Sequence, residues 1–251
     1  MQPPQPQEYK TQKQRRSSKM IVDNVEQRSL DWHRLRIGCF TGSKIGDLMK
    51  SGRKKEQIFG DVATSYIYKV AAERMLNPIF VNDDELFGQY IEQQQVYSKA
   101  IIWGQEQEDN AKDLLMKKNP EWELADVSSC KHDTIPHFAA SPDAIIYDRK
   151  KLMVGEIKCP NPNTFVRYLV EIKDAESLKK VQPDYFYQMQ AEMACTNAES
   201  GIFVAYCPWL VKPIHIVPIE RDEEAIKAIE ERVVKANEIV EQIINGTYKT
   251  E

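Results

Sequence analysis

Apolar residues three and four apart fill three long stretches of the chain, the pattern of helices with one buried face. Over residues 52–76 the positions Ile58, Val62, Tyr66 and Val70 step by four, which predicts a broadly helical segment with those side chains in the core. A second helix is predicted over 98–118, with Gly104, Ala111 and Leu115 on its apolar face and Asn119-Pro120 as its stop. A third starts near Asp222 as N-cap and ends at Asn245-Gly246. Its Ile226, Ile229, Val233, Ala236, Val240 and Ile243 form a packing stripe, read as facing the core rather than a neighbouring subunit. Short β-rich runs predict strands near 123–127, 144–147, 152–158, 201–207 and 215–219, with helices at 164–173 and 184–195 between them. Such an order implies an α/β fold, a central mixed β-sheet flanked by helices.

With 251 residues, 42% of them hydrophobic, the chain is long enough for one well-buried core. Residues 1–22, rich in Gln, Pro, Lys and Arg, are expected to be a disordered basic tail, and residues 23–251 a single domain. The formal net charge of −4 hides a gradient. Lys10, Lys13, Arg15, Arg16 and Lys19 face only Glu8 in the tail, whereas the last helix is acidic. Any nucleic-acid contact is therefore expected in a local channel, not over the whole surface. Cys39, Cys130, Cys159, Cys195 and Cys207 never fall in C-x-x-C spacing, which argues against structural zinc, an iron–sulfur cluster or a disulfide framework. No apolar run reaches the roughly 18 residues of a membrane span, and the polar N-terminus lacks a secretory pattern. A cytoplasmic protein is expected.

The chemistry concentrates at Ser141-Pro142-Asp143 and, after a predicted strand, a basic turn and a second strand, Glu156-Ile157-Lys158. Side chains alternate on a strand, so Glu156 and Lys158 share one face and Ile157 the other. A hairpin would bring Asp143 beside Glu156. Two acids and an ammonium on one sheet face make a poor core and a good site for a hard divalent metal and its water, suited to phosphodiester hydrolysis. Such a pair arises by chance in roughly a few per cent of chains this long. Glu171-Ile172-Lys173 and Pro183-Asp184 repeat its halves here. The first lies in a helix-like segment, where residues two apart do not face each other, and the second has no partner downstream.

Other candidates gather around this core. Glu108 falls on the apolar face of the 98–118 helix, where an inward carboxylate needs a cation: a metal, or a basic side chain. Gln188, on a helix face with Asp184 and Tyr185, could orient an attacking water or a phosphate oxygen; Gln190 follows it. In Arg36-Ile37-Gly38-Cys39-Phe40-Thr41-Gly42-Ser43-Lys44 a hydroxyl is expected to open a helix beside a guanidinium, an anion site. His33 is read as a packed histidine.

Together these segments resemble the phage-type alkaline exonucleases, the lambda-exonuclease or YqaJ-type viral recombinase family with its restriction-endonuclease-like PD-(D/E)xK core. The resemblance runs from Trp32 to about Asp222. Trp32-His33-x-Leu35-Arg36-x-Gly38-x-x-Thr41-x-Ser43 is similar to the family's 5′-phosphate-binding segment, and Trp103-Gly104 with Glu108 to the helix carrying an extra acid. Ser141-Pro142-Asp143, Glu156-Ile157-Lys158-Cys159-Pro160 and Tyr185-x-x-Gln188-x-Gln190 follow in the family's order. The stretch after Glu156-x-Lys158 departs from the pattern, with no arginine before Arg167.

The resemblance implies Mg²⁺, with Mn²⁺ as a substitute, held by Asp143, Glu156, the Ile157 carbonyl and Glu108. Lys158 and Gln188 would join Asp143 and Glu156 in catalysis, and Arg36, Ser43 and Ser141 would bind a 5′ phosphate. It further implies a 5′-to-3′ exonuclease acting on double-stranded DNA ends, a homotrimeric ring, a single-strand annealing protein as partner, and a phage or prophage origin in bacteria. An endonuclease on the same hairpin and a non-catalytic DNA-end binder are the alternatives. Cleavage of closed circles marks the first, and absence of metal-dependent nucleotide release the second.

Overall fold

The computed structural model describes residues 7–8, 21–53, 57–125 and 128–249. In chain order these form β1 (Gln7–Glu8), β2 (Ile21–Asp23), α1 (Leu30–Arg36), β3 (Phe40–Thr41), α2 (Gly42–Leu48), α3 (Asp61–Arg74), α4 (Pro78–Asn82), α5 (Asp84–Gln94) and α6 (Lys99–Lys118). Then follow β4 (Trp122–Leu124), β5 (Ser129–Lys131), β6 (Phe138–Ala140), β7 (Ala144–Asp148) and β8 (Lys151–Lys158). The remainder is α7 (Pro162–Glu171), α8 (Ala175–Val181), α9 (Pro183–Thr196), β9 (Ser200–Tyr206), β10 (Ile214–Glu220) and α10 (Glu223–Ile244). Most of the expected basic tail lies outside the described residues; within it Gln7–Glu8 pairs antiparallel with β2.

The expected mixed sheet has the order β10-β9-β8-β7-β4. Its centre, β8, is antiparallel to β7 and parallel to β9, with Glu156 opposite Phe203 and Lys158 opposite Ala205. The β7–β8 turn is Arg149–Lys150, with Arg149 at φ 55°, so the predicted basic break is a tight hairpin. One sheet face packs on α6 through Ile146, Met153, Ile157, Ala111 and Leu115. The other meets α9, α7 and α10 through Val154, Phe203, Met189, Phe165 and Val233. Helices cover both faces, as the element order requires.

A second five-stranded sheet, β1-β2-β5-β6-β3, was not anticipated. Its strands are only two or three residues long, too short for an alternating pattern. Cys130 and Phe138 from this sheet enter the same apolar cluster as Val154 and Phe203 from the first.

The α10 stripe is core, with Ile226, Ile229, Val233, Ala236 and Val240 all buried. The α3 expectation needs correction. This helix starts at Asp61 behind the N-cap Gly60, whose amide bonds the Lys50 carbonyl and closes a loop. Ile58 therefore precedes the helix and is 40% exposed, and Val62 on its outer face is 47% exposed. The buried face is Ala63, Tyr66, Ile67, Val70 and Ala71, one position round from the predicted start. No helix among the described residues is long and apolar enough to cross a membrane.

Candidate active site

Register builds the centre of the site. Ala144 pairs with Gly155, so Asp143, one residue before β7, meets the end of β8. There the Ile157 amide donates to Asp143 Oδ2 at 2.7 Å. Strand alternation puts Glu156 and Lys158 on one face, and the Lys158 ammonium donates to Glu156 Oε1. Ile157 packs on the opposite, α6-facing side. The Lys158 ammonium also stands 4.9 Å from the centre of the Tyr185 ring, a cation–π contact that limits its swing.

The electrostatics are strained by excess acid. Glu156 is completely buried, and its Oε2 has no donor among the described residues. Glu192, from α9, is buried within hydrogen-bonding reach of Glu156, and its own Oε2 also lacks a donor. Burial, then the neighbouring Glu156 and Asp143, push the Glu192 carboxyl well above the usual range. Burial and the Glu156 charge push Asp143 up to about 8. Burial alone would lower Lys158, but Glu156 and Asp143 overcome it and hold the ammonium above the ordinary lysine range.

A cavity of about 380 Å³ opens beside these groups, lined in part by Arg28, Glu108, Asp143, Lys158, Tyr168 and Tyr185. Glu108 is buried on the inner face of α6 and meets basic side chains: Lys112 Nζ at 2.7 Å and Arg28 Nη2 at 2.6 Å. Burial would raise this carboxyl, yet the two cations hold it below the usual range. Gln188 is buried and donates from Nε2 to Glu192 Oε1 at 3.0 Å. Gln190 serves architecture: its amide donates to the Glu220 carbonyl and its oxygen accepts from the Asp222 amide, tying α9 to the start of α10.

The three candidate anion-binding residues lie together. Arg36 ends α1, stacks over Trp32 at 4.2 Å and donates to the Ser141 hydroxyl. Arg36 and Ser43 line one cavity of about 260 Å³ with Lys44 and Lys69. Ser43 does not open its helix. The N-cap of α2 is Thr41, without a side-chain capping bond, and Ser43 lies inside the first turn. Of the rejected motifs, Glu171 ends α7 and pairs with Arg167 at 2.9 Å, and Pro183-Asp184 starts α9.

No sequence motif marks Glu192, Arg28 or Lys112 as part of the site. Glu192 lay one turn after Gln188 in the apolar run Ala191–Cys195, the same signal that marked Glu108. Arg28 had no local signal; it sits at φ 70°, a conformation unusual for a side chain with a Cβ, and reaches a partner 80 positions away. Among the described residues no three His, Cys, Asp or Glu side chains converge as a preformed metal cage. The donor set nevertheless fits a hard divalent cation: Asp143, Glu156 and Glu192 crowd their carboxyl groups together, and Lys158 alone offsets the charge at Glu156.

Helices on both sides of a mixed sheet, with the strand-end acids on its central hairpin, define a PD-(D/E)xK-type fold of the alkaline exonuclease class. The chain belongs to the YqaJ-like viral recombinase domain family, whose profile matches residues 31–199. Among solved structures it is similar to the alkaline exonuclease LHK-Exo from Laribacter hongkongensis, at 25% identity and a TM-score of 0.67 over 87% of this chain and 95% of that one. LHK-Exo in complex with dAMP matches at 25% identity and 0.68 over the same shares. A phage-related exonuclease from Haemophilus somnus 129PT shares the fold at 16% identity and a TM-score of 0.61, over 85% of this chain and 98% of that one. None of the curated proteins matches the chain in sequence.

Proposed function

We propose that the protein is a divalent-metal-dependent exonuclease that degrades one strand of duplex DNA from its 5′ end, releasing 5′-mononucleotides and leaving a 3′ single-stranded tail. The observation that carries it is the juxtaposition of Asp143, Glu156 and Lys158 at the strand ends of the central hairpin, with more buried acid than the one ammonium offsets. The similarity to LHK-Exo, solved with a mononucleotide, supports the reaction class.

Asp143, Glu156 and the Ile157 carbonyl would hold Mg²⁺ or Mn²⁺, with Glu108 joining if released from Arg28 and Lys112. Such an ion supplies Lewis-acid stabilisation of phosphate charge and a more acidic bound water. Lys158, beside both acids, would position the attacking water and offset charge in the transition state. Tyr185 and Glu156 fix its direction, and Gln188 orients through Glu192. Arg36 would take the terminal 5′ phosphate, with Ser141 and Ser43 beside it. A 3′ tail calls for a single-strand annealing protein as partner, in phage or prophage recombination in a bacterial cytoplasm.

The test is digestion of linear and closed circular duplex, with and without Mg²⁺, using linear substrates that carry either a 5′ phosphate or a 5′ hydroxyl. Mononucleotide release from linear duplex only, faster with the 5′ phosphate, is expected, and Arg36→Ala should shrink that preference. Cleavage of closed circles would replace the reading with an endonuclease. Release first from 3′ ends would remove the phosphate pocket.

A further inference from the structure

Trp209 lies beyond the groups described so far. Strands β8 and β9 run parallel with Lys158 opposite Ala205, so β9 leaves the sheet at the end where Lys158 stands. The chain then turns: the Leu210 amide bonds the Cys207 carbonyl at 3.3 Å, and the Cys207 amide bonds the Pro213 carbonyl at 2.8 Å. Trp209 occupies this closed turn and is 71% exposed. Its ring is not loose, because it stacks on Trp103 of α6 with centroids 5.6 Å apart and planes within 12°. Trp103 directly precedes Gly104, which with Ala100 and Ile101 lines the same cavity as Asp143 and Lys158.

An indole is among the costliest side chains to leave in water, and a core or packing role would bury it. Here one face is braced and the rest is left open, a few residues from where the proposed reaction takes place. Flat aromatic faces of this kind take nucleobases of any sequence by stacking. Positive charge accompanies it. Lys99 lies one helical turn before Trp103, on the same side of α6, and Lys212 lies in the Trp209 turn; both are exposed. Base and backbone of a single strand would both find a partner.

We infer that Trp209, braced by Trp103, is a stacking platform for an unpaired base of the DNA strand entering the Asp143–Glu156–Lys158 site. The inference rests on the nuclease reading of that site. The platform holds the strand after it has left the duplex, so its contribution is to single-stranded rather than double-stranded DNA.

The full chain would be titrated, without divalent metal, against a short fluorescein-labelled oligothymidylate and against the same strand with abasic sites in place of its bases. Wild type, Trp209→Ala and Trp209→Phe would be compared by anisotropy, with solution mass and metal-dependent nucleotide release measured alongside. Trp209→Ala should weaken oligothymidylate binding by about 5- to 160-fold, the range for losing one base–aromatic stack. Trp209→Phe should stay within a few-fold of wild type, and the abasic strand should erase the difference between wild type and alanine variant. Unchanged binding by Trp209→Ala overturns the platform, as does a loss that persists on the abasic strand or a change in solution mass, which would make Trp209 a subunit contact. Nucleotide release by the wild type with no effect of Trp209→Ala refutes the platform alone. An abasic-sensitive effect without nucleotide release supports base stacking and refutes the nuclease reading.

Discussion

Lys158 holds one oxygen of Glu156, and the buried Glu192 crowds the same carboxylate. On the proposed reading, Glu156→Ala or Asp143→Ala removes a ligand from a hard cation, and nuclease activity should fall to background while duplex binding persists. Retained cleavage in both variants would move the site elsewhere. Lys158→Ala should separate chemistry from metal: an ammonium is no ligand, so calorimetric Mg²⁺ binding should survive while turnover drops by ~10²-fold or more. Asp143 gives the pH dependence its sign. Its carboxyl, near 3.9 when unfolded, rises to about 8 in the metal-free fold. The native state then binds more protons than the unfolded state between those values, so stability without metal should fall as pH rises through that window and level off above about 8. Metal must displace the same proton. Mg²⁺ affinity should climb by up to about tenfold per pH unit until about pH 8 and then flatten. Calorimetry across that range checks it, and a flat profile below pH 8 would show that Asp143 is already ionised.

At the scale of elements, α2 and α9 touch through backbone. A Cβ on Gly46 would stand 2.6 Å from Asp184 Oδ1 and 2.9 Å from Asp184 Cα, so only glycine permits this approach. Gly46→Ala should cost ~1–3 kcal/mol in urea unfolding, the usual scale for overpacking; an unchanged midpoint would show that the helices can part freely. Legibility in the sequence divides along the same physical line. The α10 stripe was readable because it repeats its period several times, and the β7–β8 hairpin because two apolar runs flank a basic break. The second sheet was not, since three-residue strands repeat nothing, and α4 and α5 are set by the caps Asn77 and Asp83 rather than by an apolar stripe. Within the site, Asp143, Glu156 and Lys158 were legible because strand geometry alone brings them together. Arg28 was not, because its meeting with Glu108 is created by the tertiary fold.

For the whole molecule, net charge says little about where DNA would bind. Arg36, Lys44 and Lys69 line one cavity and Arg28 and Lys158 another, at the end of the central sheet. Ile79, Phe80, Val96 and Tyr97, in the chain between α3 and α6, are exposed apolar side chains of the kind a subunit contact would cover. If the ring implied by the family resemblance forms, light scattering should give three times the 29.1 kDa chain mass, and Phe80→Asp should reduce it. A wild type that stays at one chain mass would exclude the ring and leave any processivity without a topological basis.

Ser141 touches the Arg36 guanidinium, and Asp143 stands only two residues further along. Between them Pro142 fixes its own φ and restricts the residue before it. Two residues span at most ~7 Å, close to the length of one nucleotide unit in a strand. On the proposed reading, Ser141, which braces the end-recognising Arg36, and Asp143 at the point of cutting are therefore joined by a stiff covalent ruler. Product length would then be set by bond geometry, one nucleotide per stroke, whatever the rate at which the strand is fed.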